Sequence, residues 1–114
     1  MIRHIAFAVA MPLCAQADTL PPLACSGEAP DWTLNVADDT ASFEFQRQSD
    51  MTIPHRTTAE GQDWPQALTL ISRYDTAIVI IDQRQCGTAP YTVEVLTQRG
   101  ETPILLTGCC AVAP

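Results

Sequence analysis

The chain has 114 residues, 46% of them hydrophobic and 17% charged, with 13 acidic residues against six arginines, no lysine and a formal net charge of −7 at pH 7. That length suits one small domain. The acidic balance excludes nucleic acid and anionic lipid as expected partners, because both select basic surfaces.

In chain order, the opening "MIRHIAFAVAMPLCAQADT" has the three parts of a secretory signal. Arg3 and His4 form a basic start, an apolar run extends from Ile5 to Cys14, and Ala15-Gln16-Ala17 is a small-x-small cleavage site. Cleavage is therefore expected after Ala17, with 1–17 removed and export to the periplasm or the exterior. The apolar run is too short to anchor in a bilayer, which takes about 20 residues. No transmembrane segment is expected further on. A lipid anchor is disfavoured, since Cys14 follows bulky Leu13 and Cys25 lies beyond the polar stretch from Gln16 to Thr19. The remaining Cys25, Cys86, Cys109 and Cys110 read as two disulfides, which suits a thin core in an exported chain.

"DTLPPLA", residues 18–24, reads as an extended leader, because adjacent prolines resist helix and ladder alike. A single β domain is expected over 25–114. Within it, Trp32, Leu34 and Val36 alternate with polar residues, as do Phe43 with Phe45, and Tyr91 with Val93 and Val95. Each is expected to be a half-buried strand. "ALTLIS" from Ala67 and "TAIVIID" from Thr76 alternate less and are rich in β-branched residues, as in central strands. Turn signals fall at "ADDT", "RYD" and "QRGE", and Gly100 is suited to close a hairpin between Tyr91–Thr97 and Thr102–Cys110. Pro54 predicts that any strand over Met51–Arg56 is an edge, followed by a long loop through Gly61 to Pro65. With no helical stripe, the fold class is all-β: a small antiparallel barrel or sandwich of six to eight strands, stapled by disulfides.

"CSGEAPDWTL" resembles the opening C-x-G-x-E-P-F-W of a family of small exported bacterial proteins of unknown function, described as periplasmic proteins or lipoproteins. In that family a C-x-D-x-M-S-D segment, a Y-P strand and a terminal G-C-C follow. Cys25, Gly27, Pro30 and Trp32 match the opening, Cys86 the middle cysteine, and Gly108, Cys109 and Cys110 the ending. Ala29 and Asp31 depart from the pattern, and the D-x-M-S-D stretch is missing. The resemblance implies an exported β domain and supplies no substrate.

Catalytic chemistry finds little to use. Beyond the signal the sole histidine is His55, beside Pro54 on the suspected edge, so a nucleophile–base–orienter set is not expected. Asp38 and Asp39 suit a hairpin turn more simply than paired acid–base work. A zinc knuckle wants close cysteine pairs, which Cys25 and Cys86 are not, and a redox site wants C-x-x-C at a helix start. No enzyme activity, metal or cofactor is expected. Trp32 lies in the inward phase of its strand. Trp64, in a polar loop before Pro65, is the better candidate for recognition.

The vicinal cysteines point to opposite faces of a strand. Cys110 shares the more apolar face with Ile104, Leu106 and Gly108, while Cys109 shares the other with Leu105 and Thr107. The hairpin brings the chain before Tyr91 beside the last strand, so Cys86 is expected to pair with Cys109 and Cys25 with Cys110. The functional expectation is a non-enzymatic exported domain with a binding or envelope accessory role. The alternative is a periplasmic inhibitor of a basic hydrolase such as lysozyme, with a basic protein as partner.

Overall fold

The computed structural model describes residues 20–100 and 102–114. The strands are β1 (Leu23–Gly27), β2 (Trp32–Ala37), β3 (Thr40–Phe45), β4 (Arg47–Thr58), β5 (Gln66–Ile71), β6 (Thr76–Asp82), β7 (Tyr91–Arg99) and β8 (Thr102–Val112). Each pairs antiparallel with its sequence neighbours, and β1 pairs with β8, so the sheet closes into an eight-stranded up-and-down barrel. The all-β class is as expected, and closure selects barrel over sandwich. The expected signal over 1–17 lies outside the described residues, as do the first two residues of the leader.

Alternation places one residue in two inside. Leu34, Phe43, Leu70, Val79, Ile81 and Val95 are fully buried, and the interior is filled by such side chains along the barrel. Each contributes about 1.5–3 kcal/mol by leaving water. Phe43 stacks on Phe45 and meets Trp32 edge to face, which carries the core to the end of the barrel where β1 turns into β2.

Trp32 explains two glycines. Its indole lies across β1 and β8, donating from Nε1 to the Thr107 carbonyl at 3.1 Å. A Cβ on Gly27 would overlap the indole and the Thr107 carbonyl, and one on Gly108 would overlap the Ser26 backbone and the indole. The tryptophan thus occupies the interior volume that side chains at 27 and 108 would need.

Two disulfides tie the ends of the chain to this frame. Cys25 bonds Cys110, its partner in the β1–β8 register, inside the barrel where β1 meets β8. Cys86 bonds the outward, half-buried Cys109 across a Cα–Cα distance of 5.5 Å. Cys86 sits in the β6–β7 connection, where it exchanges backbone hydrogen bonds with Ala89 around Gly87. The β7–β8 register runs without a shift from Tyr91↔Cys110 to Arg99↔Thr102, so Gly108 introduces no bulge and the faces of Cys109 and Cys110 are not exchanged.

Two expectations need correction. The leader is shorter than 18–24, because Leu23 and Ala24 already belong to β1 and the Pro22 carbonyl accepts from Ala113 N–H at 2.8 Å. Pro54 does not mark an edge: β4 runs for 12 residues and pairs with both β3 and β5. The proline falls where the β4–β5 register shifts between Thr52 and His55, while Ile53 N–H bonds Asp39 O on the β3 side. A bulge leaves a position without a ladder bond, so the missing N–H costs little there. As expected, β6 is a central strand, paired with β5 and β7, and its outward Ile78 and Ile80 are 38% and 36% exposed.

Candidate functional site

Antiparallel order gathers residues 20–22, the Asp38–Asp39 turn, the loop 59–65, the loop 83–90 and the C-terminus at one end of the barrel. A cleft of about 580 Å³ opens there. Leu20, Pro21, Pro22 and Val36 give it an apolar side; Asp38, Asp39, Arg56, Thr57, Thr58 and Gln66 give it a polar one. Its wall is held by backbone contacts. The β2–β3 turn carries Asp38 at φ 54°, a left-handed conformation that Asp tolerates better than most residues. Arg56 donates to the Asp38 carbonyl, and Thr40 Oγ1 donates to Ala37 O at 3.2 Å.

That geometry leaves the Asp38 and Asp39 carboxylates exposed at the rim with no hydrogen bond or ion pair among the described residues. The apolar side and the acidic rim together suit a group that has an apolar stem and a cationic head. Asp63 and His55 do not line the cleft. Asp63 is exposed in the loop 59–65, where its carbonyl accepts weakly from Gln66 Nε2 at 3.5 Å, and His55 is exposed on β4. The four polar groups that could have formed a catalytic cluster are thereby split. Among the described residues, no group of three or more His, Cys, Asp or Glu side chains is placed to hold a metal.

Trp64 is half-buried against the core, its ring centroid 5.6 Å from that of Tyr91, so part of its surface is spent on fixing the loop to β7. Pro65 beside it lines a second cleft of about 520 Å³, formed where the Cys86 loop folds over Ile80, Asp82, Glu94 and Thr107.

The opposite end holds the charged residue that sequence reasoning missed. Asp75 in the β5–β6 turn is 3% exposed. It accepts from Arg47 Nη2 at 2.7 Å and from Ser49 Oγ, both on β4, and its own N–H bonds Ser72 Oγ at 3.0 Å. The hydrogen bond and the charge of Asp75 raise the pKa of Arg47, which therefore stays protonated at all physiological pH. The spacing Ser72-x-x-Asp75 was the available signal, because serine and aspartate three apart close a turn on each other. The cluster is structural: it bolts the β5–β6 turn to β4.

The acidic surface is uneven. Glu28, Asp31, Asp38 and Asp39 are exposed in the turns joining β1 to β2 and β2 to β3, whereas the strands carry two acids on each half: Glu44 and Asp50 on β1–β4, Asp82 and Glu94 on β5–β8. Among the described residues, no helix is long and apolar enough to cross a membrane. Compared with family models, curated proteins and solved structures, the chain finds no match.

Proposed function

We propose that this is a non-enzymatic, exported binding domain with an accessory role in the cell envelope, one that meets a macromolecular partner with its outer surface and end loops. The observation that carries this reading is the filled interior. Barrels that hold a small ligand keep a cavity along the axis. Here Trp32, Phe43, Phe45 and their neighbours occupy that space, and the clefts lie at the end and on the outside. Export is supported by the two disulfides, which persist in oxidising compartments. Soluble export is favoured over lipidation at Cys25, because its sulfur is inside the barrel and bonded to Cys110. Mass spectrometry of periplasmic material tests this: a mature chain beginning at Asp18 with four oxidised cysteines is expected, and a diacylglyceryl group on Cys25 would overturn it.

The second reading, inhibition of a basic hydrolase such as lysozyme, is favoured by the cleft with the carboxylates of Asp38 and Asp39, which have no partner among the described residues. A basic side chain entering that cleft would bring its cation to the acidic rim. Titration of the purified protein into a lysozyme assay is expected to give inhibition that weakens with salt. Asp38→Asn with Asp39→Asn should weaken it about tenfold or more. Normal enzyme turnover in the presence of excess folded protein removes this second reading and leaves the first.

A further inference from the structure

We propose that the outer wall of β5–β8 is a self-association surface, covered in solution by a second copy of this chain. One outward row runs straight across four strands in register: Thr69 on β5, Ile78 on β6, Leu96 on β7 and Leu105 on β8. Ile71 and Ile80 flank it, and the five apolar members are 36% to 60% exposed. Scattered exposed leucines are ordinary, but a contiguous apolar patch with a polar border marks a contact surface.

Two features select a second copy. The first is shape. Leu105, the most exposed of the five, projects from the same face that holds a groove of about 270 Å³ between Ile71, Ile78, Leu96 and Pro103. A twofold contact is made by one patch meeting itself, so it needs a projection and a recess on that one patch. The second is charge. With Arg3 removed in the signal, each copy carries 13 acidic residues against five arginines, which opposes association wherever acidic faces meet. The row from Thr69 to Leu105 contains no ionisable side chain, and Glu94 stands in the next row at its border. Two copies therefore approach here at the smallest electrostatic cost. A basic protein finds no carboxylate in the row, and an anionic lipid surface finds no arginine or lysine in it.

Strand spacing and rise make the patch roughly 20 Å on a side, or about 400 Å² per copy, about half of a standard interface. The association is accordingly weak and reversible, on the order of 10–100 μM. This goes beyond the proposed binding role and is independent of it, because the dimer leaves the β1–β4 wall and the end cleft outward.

Sedimentation equilibrium of the oxidised protein from about 1 μM to about 1 mM tests the assignment across the range just estimated. A monomer–dimer equilibrium is expected that tightens as salt rises, since salt screens repulsion between like-charged copies. Leu105→Glu should weaken it about 100-fold or more, because twofold symmetry buries the new carboxylate twice. Leu105→Thr, which keeps strand propensity, should weaken it about tenfold. Asn35→Glu, on the outer face of β2, should change it by less than about twofold. A monomer at every concentration, wild-type association in both Leu105 variants with circular dichroism unchanged, or weakening with salt would each overturn the proposal. Monomeric protein that binds phosphatidylcholine vesicles through Leu105 would assign the wall to a membrane instead, and overturn it too.

Discussion

On β2, β3 and the first half of β4 the outward positions are Thr33, Asn35, Ser42, Glu44, Gln48 and Asp50, whereas on β5–β8 they include Ile71, Ile78, Ile80, Leu96 and Leu105. Inside the barrel the same two walls are alike. Leu34, Val36 and Phe43 face Leu70, Val79 and Val95 across a common core. The demand of folding is met by those inward residues, because one dry face suffices for an antiparallel sheet. It gives no reason for isoleucine and leucine outside. On the readings proposed above, the two walls would meet different contacts on opposite sides of one frame.

The largest expected effect strikes both walls through what they share. Trp32→Ala removes the indole that fills the space over Gly27 and Gly108 and should cost about 3–5 kcal/mol. A domain of this size has only about 5–10 kcal/mol to lose. Urea denaturation should show a large drop in midpoint, with partner binding and self-association lost together. Loss of one activity at unchanged stability would show that Trp32 serves one side only.

Next is the seam between the halves. Asp75, from the β5–β6 turn, is held by Arg47 and Ser49 of β4; Asp75 and Ser49 are buried, while the Arg47 side chain is half exposed above them. Asp75→Asn keeps the shape but gives up the charge-assisted bonds, and should cost about 1–3 kcal/mol in the same denaturation measurement. If stability is unchanged, the two halves are joined by the sheet alone.

How far this division could be read beforehand differs from strand to strand. Alternation at Trp32–Val36 and Tyr91–Val95 marks strands and their inward faces, because the period of two is a property of the backbone. The hairpin around Gly100 and the faces of Cys109 and Cys110 lead to the disulfide pairing found at β1–β8 and at the Cys86 loop. β1 was hidden, since five residues ending in glycine after two prolines carry little local signal and gain their ladder only when the barrel closes. Pro54 misled because a bulge is set by register between strands, which local sequence does not display. The continuous apolar run Ala77–Ile81 marks a central strand, and β6 lies between β5 and β7. Its outward Ile78 and Ile80 are partly exposed, because no layer of the described residues covers the outside of the barrel there.

The smallest effect tests the electrostatics of the polar wall. Glu44 lies directly opposite Gln48, and Asp50 opposite Ser42, so the two carboxylates are diagonal neighbours on the outer face of β3 and β4. Such positions are about 7–8 Å apart at the backbone, near the screening length of physiological salt. Gln48 Nε2 contacts Asp50 Oδ1 at 3.5 Å and Ser42 Oγ at 3.3 Å, which partly offsets the acidity without supplying a cation. Glu44→Gln should therefore stabilise the fold by about 0.2–0.5 kcal/mol at low salt and by nothing measurable near 1 M, where screening has already removed the repulsion. Leu105→Gln on the other wall, measured below the concentration of self-association, should leave stability within about 0.5 kcal/mol at either salt. The two substitutions differ in kind: one eases a field that salt also eases, the other changes an uncharged surface. Equal salt dependence in the two variants would mean that the charge of this molecule acts as a whole-body field, and that its walls are not electrostatically distinct.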